Sequence, residues 1–116
     1  QINAAFQKAV NDPNMQVTYG APTVIYVSCK NEDEEIIKGC NAGVVMENML
    51  LEAADLGLGA VYLFGVSQVL FANEEITKLL QIPEGFRTVS AIAVGTSADD
   101  LQERTLGTDK ISMTTL

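Results

Sequence analysis

Few residues in this chain have both the type and the placement to do chemistry. Cys29 and Cys40 are the two thiols. They are too few for a disulfide framework and lack the spacing of a metal site. Cys29 closes a hydrophobic run, and Cys40 precedes a helix predicted from about residue 41, where the helix macrodipole would lower a thiol pKa. That placement admits a redox switch, while two inert, small residues is the plainer reading. There is no histidine, which excludes Ser-His and Cys-His catalysis and His-built zinc sites within the chain. Arg87 opens a predicted strand and is expected to pair with a nearby acid. No catalytic residue and no metal ligand can be named from these types. The remaining feature is a strand, "AVYLFGV" (60–66), broken near its end by Gly65.

The elements that must position these groups are those of one packed domain. The chain has 116 residues, nearly half of them hydrophobic, enough for a modest core. Asp and Glu outnumber Lys and Arg by 15 to 7, a net charge of −8. Such a surface repels phosphate backbones and anionic lipid, so no nucleic-acid or membrane partner is expected. No apolar run reaches the roughly 20 residues of a membrane helix, and the sequence given holds no basic-then-apolar segment of the signal-peptide kind. A cytoplasmic protein is expected. The chain opens on Gln1 rather than Met, which points to a fragment or a processed piece.

"QINAAFQKAV" (1–10) has helical apolar spacing and stops at "NDPN". "APTVIYVSC" (21–29) reads as a buried strand, with Pro22 at its mouth. "KNEDEEIIKG" (30–39) reads as a charged, solvated connector. A helix is predicted from 41 to 56, N-capped by Asn41 and stopped by Gly57 and Gly59. The strand at 60–66 follows, then a short helix from an Asn73 cap to Leu80, a turn at 82–86 and a strand at 87–97. The tail is polar until "KISMTTL", an edge strand or an extended arm. Three strands and two internal helices alternate, in an α/β or α+β arrangement.

The helix at 41–56 is apolar nearly all round. At about 100° per residue, Ala42, Met46, Met49, Leu50, Ala53 and Leu56 share one arc. Val44 and Leu51 sit within the opposite arc, among Glu47, Asn48, Glu52 and Asp55. One face therefore covers the chain's own sheet and the other meets a second surface. That surface is either the rest of a larger monomer or a second subunit.

In order and spacing, "YGAPTVIYV", "NAGVVMENMLLEAADLGLGAVYLFGV" and "EEITKLLQIPEGFRTVSAIAVGTSA" resemble the C-terminal part of the nitroreductase family of FMN-dependent enzymes. No single motif is unique; the resemblance lies in their succession over residues 19–98. It implies an α+β fold around a mainly antiparallel sheet flanked by helices, one partial domain over 1–116 lacking its N-terminal segment. It further implies a homodimer through the helix 41–56, with FMN at the interface. NAD(P)H would reduce the flavin by hydride transfer to N5, and a nitroaromatic, quinone or similar small-molecule acceptor would reoxidise it in ping-pong turnover. A non-catalytic dimerisation or flavin-holding module of the same fold is the alternative.

By the same resemblance, Tyr62, Leu63, Phe64 and Gly65 match the place where the family's backbone lies along the isoalloxazine. A glycine suits that place because it lets the main chain approach a ring, although a glycine that merely ends a strand looks identical in sequence. Many relatives carry glutamate or glycine where Phe64 stands, so a backbone contact would survive here and a polar side chain would not. The family's Arg- and Ser-containing phosphate signature is missing from this chain. Arg104, or else Lys110, is the candidate for the family's C-terminal phosphate contact, an exposed charge on a polar tail being the plainer alternative. A charged phosphate clamp is among the stronger contacts a site can make, so the piece alone is expected to hold FMN poorly.

Overall fold

In the computed structural model the described residues are 2–65, 69, 73–100, 102, 103, 105, 107, 112, 114 and 115. Helix α1 (Ile2–Val10) is followed by strand β1 (Thr23–Lys30), helix α2 (Glu35–Asp55), strand β2 (Gly59–Tyr62), helix α3 (Glu74–Leu79) and strand β3 (Phe86–Gly95). The sheet order is β1-β3-β2, with β3 central and antiparallel to both neighbours. The fold is α+β, a mainly antiparallel sheet flanked by helices.

The sheet is covered on both faces, which is why β3 is buried over most of its length. Ala91 and Ala93 point to one side and join Phe6 of α1, Val17, Leu63 and Ile76 of α3 in a core cluster. Ile92 and Ser90 alternate to the other side, where α2 lies with Lys38, Ala42, Met46 and Ala53 buried. α3 starts as its sequence predicts: the Asn73 side chain accepts from the backbone N–H groups of Glu75 and Ile76 at 3.1 and 3.2 Å.

The pairing of β1 with β3 slips once. Val27 faces Ser90 but Ser28 faces Thr88, so Val89 is an extra residue in β3, a β-bulge. Beyond the bulge, the alternation of β3 is inverted. Arg87 consequently lies on the α2 side with Cys29 and bonds Glu35, while Ser28 and Thr88 pair their hydroxyls at 3.3 Å. The acid expected for Arg87 is Glu35.

Two boundaries differ from the sequence reading by more than two residues. The helix spans Glu35–Asp55 rather than 41–56, and Asn41 is an exposed residue inside it rather than its cap. The charged connector is in part the helix's first turn. Lys38, at the spacing 38, 42, 46, is buried against the sheet because its ammonium bonds the Asn31 carbonyl (3.1 Å) and Glu35 (3.0 Å). At the other end Gly57 takes φ +70°. Its N–H donates to Ala54 O (3.0 Å) and that of Leu58 to Ala53 O (2.8 Å), a Schellman stop. Gly59 has a different role from the helix stop expected of it. It opens β2, where a Cβ would lie 3.2 Å from the Ser97 backbone.

Candidate functional site

The second boundary that moves is the end of β2, and it shapes the candidate site. β2 ends at Tyr62 instead of running to 66. The ladder makes one further bond, Leu63 N–H to Ala91 O at 2.8 Å, and Leu63 is buried in the core cluster. With Leu63 drawn inward, the chain leaves the sheet, and Phe64 and Gly65 are already helical. The site is therefore a strand-to-helix turn pinned by one buried leucine.

Around that pin the other residues face outward. Tyr62 is 43 % and Phe64 60 % exposed, and their rings lie 6.1 Å apart, tilted by 55°. Gly65 is exposed, and a Cβ there would meet nothing within 4 Å. Its backbone is thus open to close approach by a flat group, with two aromatic rings beside it. Such rings offer apolar area and edge-to-face contact. The turn can position a planar ring system, but among its described residues it brings no acid, base or nucleophile apart from the Tyr62 phenol. The four residues named from the sequence, Tyr62, Leu63, Phe64 and Gly65, thus come together at this one turn. Arg104 and Lys110, the candidate phosphate contacts, lie outside the described residues, as does most of "KISMTTL".

A second polar group was not legible as a group in the sequence. Glu35, Lys38, Arg87 and the Asn31 carbonyl meet over Cys29, whose thiol lies 4.0 Å from Lys38 O. The Lys38 side-chain bond, followed by that from Arg87, holds the Glu35 carboxyl below its ordinary value. Tyr26 on β1 is shifted the other way, its phenol raised by burial. The signal for the cluster would have been Lys38 in register with Ala42 and Met46. Cys29 and Cys40 are both free. Cys40 lies in the second turn of α2 rather than before its N-terminus, the placement expected from the sequence. Among the described residues no group of His, Cys, Asp and Glu is arranged to hold a metal. None of the described helices is long and apolar enough to cross a membrane.

The model of the nitroreductase family matches residues 2–96. Similar solved structures include a nitroreductase with bound FMN from Bacteroides fragilis NCTC 9343, at 21 % identity and TM-score 0.76, covering 97 % of this chain and 66 % of that one. A nitroreductase with bound FMN from Desulfitobacterium hafniense DCB-2 is 18 % identical with TM-score 0.72, over 97 % and 68 % of the two chains. An FMN-dependent nitroreductase from Clostridium difficile R20291 is 20 % identical with TM-score 0.66, over 97 % and 69 %. At these identities the likeness is one of fold, and the chain spans about two thirds of the length of these structures. No curated protein matches the chain.

Proposed function

The chain belongs to the nitroreductase family, and from that premise we propose that the complete protein is an FMN-dependent oxidoreductase. It would pass two electrons from NAD(P)H to a nitroaromatic, quinone or similar small acceptor in ping-pong turnover. The observation that carries this reading is the turn at Tyr62–Gly65, an open glycine backbone beside two exposed rings and anchored by buried Leu63. FMN, when bound, supplies the two-electron chemistry. The chain's own work is positional. Gly65 and its neighbours would present backbone to the ring system, Leu63 would fix the turn through Ala91, and the Tyr62 and Phe64 rings would flank the ring and the acceptor. Arg104 is assigned to the phosphate, in the role Lys110 would otherwise fill.

In this reading residues 1–116 form one partial domain, the protein is cytoplasmic, and two copies pair through the outward face of α2. Ile36, Ile37, Val44 and Leu51 are exposed on that helix, and apolar side chains at this density mark a surface that is covered in the working protein. The alternative, a non-catalytic dimerisation or flavin-holding module, draws on the absence of the family's phosphate signature from the sequence given.

The test uses the complete protein. It should retain FMN and oxidise NADH or NADPH with a nitrofuran or menadione as acceptor. Gly65→Val should lower FMN affinity while leaving the fold intact by circular dichroism. Absence of NAD(P)H oxidation in an FMN-loaded preparation would leave the holding-module reading. Unchanged FMN affinity in Gly65→Val would remove the turn from the site.

A further inference from the structure

We propose a second ligand site in the cleft between Tyr19 and Asp99, for a small aromatic molecule carrying a planar cation, an amidinium or guanidinium. The cleft has a volume of about 440 Å³ and lies where β2 begins and β3 ends, at the far end of β2 from the turn at Tyr62–Gly65. That is the size of a small-molecule site. Its apolar lining is made of short side chains, Ala21, Ala60, Val61 and Ala93. Two glycines fix the walls. A Cβ at Gly95 would stand 2.8 Å from Pro22 Cδ, and one at Gly59 3.2 Å from the Ser97 backbone. The chain around Pro22 and Ser97 is therefore packed directly on the strands, and the cleft is formed before a ligand arrives.

The rim carries the two recognition groups. Tyr19 has φ +53° and is followed by Gly20 at φ +72°. Glycine tolerates this left-handed region, whereas a bulky residue there crowds its own backbone. The turn holds Tyr19 in place through its N–H to Gln16 O (3.4 Å) and through Ala21 N–H to Thr18 O (2.9 Å). Burial does not compensate, because Tyr19 is 73 % exposed. An aromatic ring kept at a strained, solvent-facing position on the rim of a cleft is one that serves the cleft. Asp99 is the only charged residue among the described residues that line it. Ser97 fixes the Asp99 backbone, its hydroxyl donating to Asp99 O (2.7 Å) and accepting from Asp99 N–H (3.3 Å). Among the described residues no Lys or Arg pairs with the Asp99 carboxylate. A carboxylate and an exposed aromatic face, on a chain of net charge −8, select a cation. A planar one suits both partners. It pairs with a carboxylate through two parallel hydrogen bonds and lays its face on a ring.

The test titrates the complete protein with benzamidine, a cation at neutral pH, and with benzamide, its uncharged counterpart, read by calorimetry and by amide NMR shifts. Benzamidine should bind roughly tenfold tighter or better, and should shift the amides of Gly20, Gly59 and Gly95. Asp99→Asn should abolish that preference. Asp100→Asn, which alters an exposed acid that does not line the cleft, should keep it. Tyr19→Gly should melt higher than the parent, the strain being relieved, yet bind benzamidine roughly threefold more weakly or worse. Equal binding of the two compounds overturns the site. So does a preference that Asp100→Asn lowers as far as Asp99→Asn, which would assign it to the general negative field. A Tyr19→Gly protein that binds benzamidine as tightly as the parent overturns it as well.

Discussion

Replacing Lys38 tests whether a charged residue in this chain acts as part of the core. Its side chain is 1 % exposed, with the ammonium on Asn31 O and Glu35 and the stem laid beside Ala42 and Met46 on the buried face of α2. Glu35 itself is 75 % exposed, so removing the lysine leaves no buried orphan charge, the circumstance that makes broken interior pairs expensive. The stem carries the larger share. Truncation to alanine removes about three buried carbon-sized groups that methionine retains, at about 0.8 kcal/mol each. Lys38→Ala should therefore be less stable than Lys38→Met by about 2 kcal/mol. Lys38→Met should stay within about 1 kcal/mol of the parent, since the lost hydrogen bond (about 1 kcal/mol) is offset by relief of the lysine's desolvation. Urea titration at neutral pH reads the difference. In thermal melts it corresponds to roughly 10 °C, at 4–8 °C per kcal/mol for a domain of this size. If methionine proves as damaging as alanine, the charge holds the first turn of α2 and the stem does not, and the reasoning fails.

Other positions give sharp expectations. The Ser90 hydroxyl is fully buried and has no hydrogen-bond partner, so Ser90→Ala should be neutral or stabilise by up to about 1 kcal/mol in the same titration; a loss above that size would show that the hydroxyl is satisfied. A Cβ at Gly95 would stand 2.8 Å from Pro22 Cδ, a rigid ring that cannot swing away, and Gly95→Ala should cost about 1–3 kcal/mol. Gly39, inside α2 with open space at its Cβ, is the matched control: Gly39→Ala should stabilise by roughly 0.5–1 kcal/mol. Because Lys38 and Arg87 hold the Glu35 carboxyl below its ordinary value of 4.5, its contribution is complete above that pH. It is lost as pH falls through the lower, folded value. Glu35→Gln should accordingly flatten the acid limb of a stability–pH curve below about 4.5 and leave the neutral limb unchanged in shape; an unaltered acid limb would remove Glu35 as a contributor.

Most of the fold was legible because its signals are local. The β-branched run at 23–30, the Asn73 cap, the Gly57 stop and the alternation of β3 each act through a few neighbouring residues. What escaped depends on how those elements pack on one another. The partners of Lys38, Asn31 O and Glu35, lie close in sequence, but the charges around it masked its register with Ala42 and Met46, so a core position read as solvent and the helix start was set a turn and a half late. The bulge at Val89 that swings Arg87 toward α2 depends on the register with β1, which no strand pattern encodes alone. The candidate site was legible as a place and not as a shape. "YLFG" marked the end of a strand, but Leu63 leaves the ladder for a cluster containing Phe6 and Ile76, residues far away in sequence. That burial turns the chain at Phe64 and exposes the glycine.

The same geometry ties the outward face of α2 to the turn at Tyr62–Gly65. From the Schellman stop at Gly57 the chain enters β2 at Gly59 and reaches the turn at Leu63. Each step is held by hydrogen bonds to a neighbouring element and not by a free loop. A displacement of α2 therefore cannot be absorbed before Tyr62 without breaking the ladder to β3, because Ala60, Val61 and Tyr62 are registered against Val94, Ala93 and Ile92. Closely packed elements transmit shifts of this kind instead of dissipating them. If both pairing and FMN binding select this one placement of α2 and β2, each must strengthen the other by the same factor, as thermodynamic linkage requires. FMN would then tighten the dimer, and a monomerising change at Val44 would weaken FMN binding although Val44 lies on the opposite face of α2 from the sheet.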